Sequence, residues 1–183
     1  VGNSCASTFA SPTVTVNVCT PATITAQPTA TPGAIRAGSS ATLSIGASGT
    51  SLAVQWYTSA GVNVGSGLSI VVSPAATTTY HATVSNACTT TLTSATVTVS
   101  IDLPPTADFT ISCISTTCSA NASASSDDHG ISSYAWLVNG VSNGVTTATW
   151  TSTLSAGKYK IQLFVYDALG QSAYTDKKIT VTP

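Results

Sequence analysis

The sequence predicts an all-β fold of tandem β-sandwiches, and three observations carry this prediction. Residues 84–101 repeat residues 1–18 at nine positions, with an offset of 83 residues, as expected of single-domain modules in a row. Thr and Ser make up about a third of the chain while Glu and Met are absent, a composition that favours strands over helices. Turn signals recur about every 8 to 12 residues, the spacing typical of a sandwich.

The net charge and the cysteine content limit which partners the protein can have and in which cellular compartment it works. A net charge of -1 with five basic residues predicts neither nucleic acid nor an anionic membrane surface as a partner. No apolar run approaches the roughly 20 residues of a membrane span. Five cysteines in a Ser/Thr-rich all-β chain favour an oxidising environment, so we expect a secreted, extracellular or cell-surface protein.

Residues 1–18 are predicted to be the terminal hairpin of a preceding module. Val14, Val16 and Val18 alternate with polar residues as in a strand. Two strands alone are marginal in water, so this hairpin either belongs to a module whose body lies outside the chain or completes another subunit. In the second case its strand edges would allow the chain to polymerise.

Residues 19–101 form the first whole module. Thr42–Ile45, Val54–Trp56 and Ile70–Val72 alternate between apolar and polar positions and are separated by Gly and Pro turn signals. The segments ITAQPTA, AGSSATLSIGASG, AVQWY, TTTYHATVSNAC and SATVTV resemble a bacterial immunoglobulin-like repeat. The resemblance implies that Trp56 is the core tryptophan and that Tyr80 occupies the tyrosine-corner position.

The usual inter-sheet disulfide of this family has no cysteines here. Four apolar residues stand on the facing strands, namely Leu43, Ile45, Ala82 and Val84. We therefore expect apolar packing alone to hold the two sheets of this module together.

Residues 102–183 form the second module, beginning with a junction at Asp102–Pro105 whose two prolines predict a stiff, extended link. The segments PPTADFT, SCISTTCSANASASSDD, SYAWLVNG, LSAGKYKIQLFVYDALG and KKITVTP resemble a polycystic-kidney-disease (PKD) domain over residues 104–182. Of the family's W-D-F-G-D-G signature only Trp136 and Gly140 remain, so the chain resembles a divergent member.

The resemblance to these families implies two disulfides. Similar cysteines of PKD-like hairpins are bridged, which implies Cys113 to Cys118. In an immunoglobulin-like sandwich the start of the first strand lies near the turn between the last two strands, which implies Cys19 to Cys88. A bond from Cys5 to Cys19 would have to span 14 residues of strand, about 40 Å, so we expect Cys5 to be a free or intermolecular thiol.

Calcium is the metal that the second module could take. Four oxygen donors, Asn121, Asp127, Asp128 and Asp167, correspond to a loop and a late acid through which some PKD-like domains bind Ca²⁺. Here His129 and Asn121 stand where the family more often has acids, which lowers the negative charge. The alternative is an ordinary turn in which Asp127 and Asp128 accept hydrogen bonds from the backbone. No other cofactor is expected.

The sequence contains few groups for catalysis. Arg36 is the only formally charged side chain before Asp102, and no nucleophile elbow, zinc-protease motif or C-x-x-C pair occurs in the chain. We expect no enzymatic activity. His81 alternates with apolar neighbours and is expected to face outward from a strand.

Ligand recognition would depend on exposed aromatic residues. Trp56 and Trp136 fall on family core positions. Trp150 has no such match, so it is a candidate for ligand binding, although its strand parity with Leu154 favours the core. Asn121 begins the one N-glycosylation sequon.

These observations favour a non-catalytic segment of a secreted or surface-anchored bacterial protein that serves as a stalk, fibre or adhesive element. Its partners would be neighbouring modules of the same or identical chains. The alternative is an accessory region of a secreted peptidase or polysaccharide hydrolase that engages an insoluble polysaccharide, collagen or a cell surface.

Overall fold

The computed structural model describes residues 14–16 and 18–183. All regular secondary structure of this part is β-strand, which confirms the predicted fold class. The strands form two β-sandwiches in succession, each with its own apolar core.

The first sandwich contains nine strands. They are β1 (Thr23–Thr31), β2 (Ala34–Ile35), β3 (Ala41–Ser48), β4 (Ala53–Thr58), β5 (Asn63–Ser66), β6 (Ser69–Val72), β7 (Thr78–Asn86), β8 (Thr89–Thr93) and β9 (Val97–Ile101). One sheet has the order β1-β3-β6; the other has the order β2-β9-β7-β4-β5, with β8 also paired to β7. Pro28 lies in β1 where the register with β3 shifts between Ala26 and Thr29, which accommodates a residue that has no N–H.

The second sandwich contains seven strands. They are β10 (Thr110–Ile114), β11 (Thr117–Asn121), β12 (Ile131–Val138), β13 (Val141–Ser142), β14 (Thr149–Thr153), β15 (Gly157–Asp167) and β16 (Ser172–Val181). A three-stranded sheet with the order β10-β11-β14 packs on a four-stranded sheet with the order β13-β12-β15-β16.

Each core contains a tryptophan whose indole N–H is bonded in the same way. Trp56 and Trp136 are fully buried. Each indole N–H donates to a backbone carbonyl 11 residues further along, that of Gly67 at 2.9 Å and that of Thr147 at 3.0 Å. A buried indole N–H needs an acceptor, and in both modules a backbone carbonyl provides it.

The first core confirms that apolar packing occupies the place of an inter-sheet disulfide. Leu43, Ala82 and Val84 are fully buried and Ile45 is nearly so. Tyr80 is buried in the same core. His81 lies on the outer side of β7, where its ring stacks on Tyr57.

The strand expected at Val14, Val16 and Val18 is not found. Among residues 14–16 and 18–20 none belongs to a strand, and the three valines are exposed. Alternation alone does not make a strand, because its backbone groups need a ladder partner, and these residues pair with none of the described strands. The rest of the predicted hairpin, Cys5 included, lies outside the described residues.

Candidate metal centre at the module junction

Asp102 ties the last strand of the first sandwich to the second sandwich. Its backbone N–H donates to Ile35 O at 2.9 Å, which extends the pairing of β2 with β9 by one residue. Its side chain is buried and receives a hydrogen bond from Gln171 Nε2, 2.9 Å from Oδ2; the same nitrogen lies 3.1 Å from the Asp102 carbonyl oxygen. Asp102 therefore belongs to one module by its backbone and to the other by its side chain.

Two acids of the second sandwich face Asp102. Asp167 ends β15 and is buried; its Oδ1 accepts from Gln171 N at 2.8 Å. Asp127 lies in the turn before β12, where its Oδ2 accepts from His129 N at 2.9 Å. In each of these two carboxylates one oxygen is thus engaged by the local backbone while the other remains available.

The acidic cluster, defined as Asp102, Asp127 and Asp167, holds three carboxylate oxygens within 4.8 Å of one another. One oxygen of each member is buried and accepts no hydrogen bond: Oδ1 of Asp102, Oδ1 of Asp127 and Oδ2 of Asp167. Buried carboxylate oxygens without a donor are costly, and the three charges repel one another. A hard divalent cation would relieve both costs. The oxygens fit Ca²⁺, which takes six to eight oxygen ligands, the remainder coming from backbone and water.

Asp128 and His129 lie beside the acidic cluster. His129 Nδ1 is 3.3 Å from Asp128 Oδ1 and 3.0 Å from Asp102 Oδ1, the latter without the alignment of a hydrogen bond. The hydrogen bond to Asp128 is the main reason that the pKa of His129 is raised. Burial acts to raise the pKa of Asp128, but the Leu103 N–H and His129 outweigh it, so this pKa is lowered.

A second contact joins the modules at the turn between β15 and β16, which also contains Gln171. The guanidinium of Arg36, the residue after β2, donates from Nη2 to the carbonyl oxygen of Leu169, in the turn between β15 and β16. Arg36 Nη2 also lies 3.2 Å from the Cβ position that a side chain at Gly170 would occupy. The single cation of the first module is therefore placed at the boundary with the second.

Of the four predicted calcium ligands, the structure brings three close to the junction and places the fourth elsewhere. It brings Asp127 and Asp167 together in the acidic cluster and places Asp128 in the adjoining group with His129 and Asp102. Asn121 does not join them. It ends β11 in the other sheet, is exposed, and its Oδ1 accepts from Ser123 N at 2.8 Å. Its carboxamide closes a local turn, and the sequon that it begins lies on the surface.

Asp102 is the member of the acidic cluster that the sequence did not predict as a ligand. It was assigned to the linker, although it directly follows an alternating strand. The signal that could have identified it is its place directly after β9. A strand whose backbone pairing continues into the junction fixes the position of the next side chain, here that of Asp102.

The cysteines are paired in the structure as Cys19 with Cys88 and Cys113 with Cys118, with Cα–Cα distances of 6.1 Å and 4.0 Å. The first bond closes the end of the first sandwich that is remote from Asp102, where Asn86 Nδ2 also donates to Thr20 O and Thr50 O. The second bond crosses the β10–β11 hairpin between directly opposite residues.

Trp150 is not available for ligand binding. It is 2% exposed and its ring stacks on Trp136 with 6.2 Å between centroids. Its position in β14 directs it between the sheets, as its parity with Leu154 indicated, so the candidate ligand-binding role is wrong.

Within residues 14–16 and 18–183, both groups of three His, Cys, Asp or Glu side chains close enough to share an ion include Asp102. Among the described residues, the groups of side chains close enough to share an ion therefore lie at the junction, beside Gln171. In the same residues no helix is long and apolar enough to cross a membrane.

The two sandwiches and their bonded junction define the chain as a tandem of immunoglobulin-like β-sandwich modules. Residues 21–100 match the family model of the Ig-like domain described as CHU_C associated. The chain is 30% identical to the PKD1 domain of the Vibrio cholerae metalloprotease PrtV over 44% of its own length and 100% of that domain, with a TM-score of 0.41. It therefore belongs to the proteins that combine an Ig-like domain with a PKD-like domain.

Two further structures show similarity. The PKD1 domain of Vibrio anguillarum Epp is 27% identical over 44% of this chain and 96% of that one, with a TM-score of 0.40. The three N-terminal domains of the bacteriophage RB49 outer capsid protein Hoc are 16% identical over 90% of this chain and 59% of that one, with a TM-score of 0.51; this likeness concerns the fold alone. No curated protein sequence matches the chain. Domains of these classes are commonly extracellular structural modules, some in secreted proteases, and are typically non-catalytic.

Proposed function

We propose that the chain is a non-catalytic segment of a secreted or surface-anchored bacterial protein, in which the two modules act as a spacer with a calcium-stiffened junction. The observation that carries this proposal is the acidic cluster. One buried carboxylate oxygen that accepts no hydrogen bond comes from the first module at Asp102, and two come from the second at Asp127 and Asp167. A cation bound by all three would hold the modules in one relative orientation.

A fixed orientation is what a stalk, fibre or adhesive element requires. Gln171 and Arg36 already make contacts across the junction without any ion. Calcium would add to these contacts. Because its ligands come from both modules, the ion can bind fully only when the two modules are correctly positioned, so its binding favours that arrangement. Extracellular modules bind Ca²⁺ with dissociation constants of about 0.1 to 1 mM, which makes such a junction responsive to extracellular calcium.

Calorimetric titration of the full chain with CaCl2, after removal of metal with EGTA, tests the proposal. We expect one Ca²⁺ per chain. Small-angle X-ray scattering should give a single extended shape with calcium and a broader distribution of shapes in EGTA. The Asp102→Asn variant should weaken calcium binding by at least about tenfold, since one charged ligand is lost. Asp108→Asn is the matched control, because Asp108 pairs with Lys177 away from the cluster.

No calcium binding at about 10 mM, tenfold above the weakest dissociation constant expected, would contradict the calcium-stiffened junction. Equal weakening of calcium binding by Asp102→Asn and Asp108→Asn would contradict it as well. Identical scattering with and without calcium would contradict the stiffening alone. The partners of the spacer are proposed to be neighbouring modules of the same or identical chains. Size-exclusion chromatography with and without residues 1–18 tests whether that segment mediates association.

A second function is favoured by the similarity to two PKD1 domains, one of which belongs to a metalloprotease. In this alternative the chain is an accessory region of a secreted peptidase or polysaccharide hydrolase and engages an insoluble substrate. A pull-down of the chain on cellulose, chitin and collagen distinguishes the two functions, because a spacer should remain in the supernatant with all three. A catalytic domain in the same reading frame would also favour the accessory role.

A further inference from the structure

Three of the four lysines of the chain lie on one face of one strand pair. Lys158, Lys160 and Lys178 lie on the outer face of the β15–β16 ladder, where Lys160 is directly opposite Lys178. Like charges directly opposite each other destabilise a sheet, and the only acid beside them on these two strands, Asp176, lies 3.3 Å from Lys160. Three lysines and one aspartate leave this end of the face with a charge of about +2 on a chain whose net charge is -1.

The same three lysines line a shallow depression of about 280 Å³. Lys178 and Lys158 are exposed and Lys160 is half-buried. A carboxylate seated in this depression would meet ammonium groups from both strands, which would offset the repulsion between Lys160 and Lys178.

An aromatic row continues the face beyond the lysines. Phe164 is directly opposite Tyr174, and their rings stack with 5.4 Å between centroids. Tyr166 follows two residues along β15, and Tyr174 is 61% exposed. On the neighbouring strand β12 the residue paired with Phe164 is Ala135, which is too small to cover the rings.

The lysines and the aromatic row form one continuous surface of the β15–β16 ladder, which we call the outer face. From Lys158 to Tyr166 it extends eight residues along β15, about 26 Å at 3.3 Å per residue. Gln162 and Asp176 stand opposite each other between the two ends and supply hydrogen-bonding groups. A long surface with charge at one end and rings at the other fits an extended polymer better than a small molecule.

We propose that the outer face is a binding site for a linear, carboxylated polysaccharide. The rings of Phe164, Tyr166 and Tyr174 would pack against the C–H faces of pyranose units, and the lysines would pair with uronate carboxylates of the following units. A neutral glucan would leave the lysines unused. Nucleic acid fits less well, because duplex DNA carries one negative charge per about 1.7 Å of its length and this face has three lysines, of which Lys160 is already paired with Asp176. The site goes beyond the spacer function and uses no residue of the acidic cluster.

Affinity electrophoresis in gels containing polygalacturonate or alginate tests the proposal. It is done in EDTA, so that calcium neither gels the polymer nor occupies the acidic cluster. We expect retardation of the chain in these gels, none in gels with neutral hydroxyethylcellulose, and weaker retardation as salt is raised. The double variant Lys160→Gln/Lys178→Gln and the variant Tyr174→Ser should each weaken binding by about tenfold.

Matched controls come from residues that face elsewhere. Lys177 neighbours Lys178 in sequence but lies on the opposite side of β16, where it contacts Phe109; Tyr57 stacks on His81 in the first module. Lys177→Gln and Tyr57→Ser should bind like the wild type, and thermal unfolding of every variant shows that it is folded.

Several outcomes would overturn the proposal. They are no retardation by either acidic polymer, equal retardation by hydroxyethylcellulose, equal loss in Lys177→Gln and in the double variant, or tighter binding of single-stranded DNA than of polyuronate. Because EDTA is present throughout, failure of this site leaves the calcium-stiffened junction to its own test.

Discussion

Gln171 Nε2 lies 2.9 Å from Asp102 Oδ2 and 3.1 Å from the carbonyl oxygen of the same residue. One amide group of the second module thus holds the residue with which the first module ends. Gln171 is itself fixed, because its backbone N–H donates to Asp167 and its carbonyl accepts from the N–H of that residue. Hydrogen bonds of Gln171 therefore connect the end of the first module to the turn between β15 and β16 of the second.

We predict that Gln171→Ala frees the junction and leaves both modules folded. The change removes two hydrogen bonds to Asp102 and leaves Asp102 Oδ2 without a donor, at a cost of about 1 to 3 kcal/mol. In EGTA the variant should show faster amide exchange at Asp102 and a broader distribution of shapes by small-angle scattering. Gln162→Ala, on the outer face, is the control. Unchanged exchange at Asp102 would mean that Gln171 does not hold the junction.

We predict that the pair of His129 and Asp128 makes stability depend on pH in two directions. The raised pKa of His129 adds stability that is fully present below its unfolded value, about 6.5, and is lost as the pH rises through the folded pKa. The lowered pKa of Asp128 adds stability above its unfolded value, about 3.8, that is lost as the pH falls through the folded pKa.

NMR titration of the His129 imidazole in EDTA measures this coupling. Asp128→Asn should lower the pKa of His129, because the main cause of its elevation is removed. Saturating calcium should lower it as well, since a nearby divalent cation disfavours a protonated imidazole. An unchanged pKa of His129 in Asp128→Asn would contradict the pairing.

The sequence predicted the interior of each module better than its surfaces. Alternation and the positions of Trp56 and Trp136 depend on local pattern, and local pattern determines which side chains of a strand face inward. Asp102 was missed because its role depends on how one module meets the next. The aromatic row was missed for a similar reason: Phe164 and Tyr166 share parity within β15, but Tyr174 joins them only through the register of β15 with β16.

We predict that Leu43→Ala strongly destabilises the first module. Leu43 is fully buried in the apolar core, so the substitution should cost about 2 to 5 kcal/mol. Val71→Ala is the matched control, because Val71 lies on the adjoining strand β6 but is 66% exposed, and its substitution should change the free energy of unfolding by about 0.5 kcal/mol or less. Urea unfolding measures both, and equal effects would contradict the assignment of the core.

The two disulfides are predicted to stabilise their modules unequally. Cys19–Cys88 closes a loop with a sequence separation of 69, whereas Cys113–Cys118 closes one of 5. In the chain-entropy model these loops correspond to about 4 and about 2 kcal/mol, because the longer loop removes more conformational freedom from the unfolded chain. The double variant Cys19→Ser/Cys88→Ser should therefore lower the free energy of unfolding of the first module. This loss should be about twice the loss that the double variant Cys113→Ser/Cys118→Ser causes in the second module. The hydrogen bonds of Asn86 to Thr20 and Thr50 should keep the end of the first module closed, and the β10–β11 ladder should keep the hairpin of the second module paired, so both variants should fold. Urea unfolding monitored by tryptophan fluorescence measures the two losses, with Trp56 in the first module and Trp136 in the second. A larger loss for the short loop would mean that it stabilises the folded hairpin directly rather than through the unfolded state.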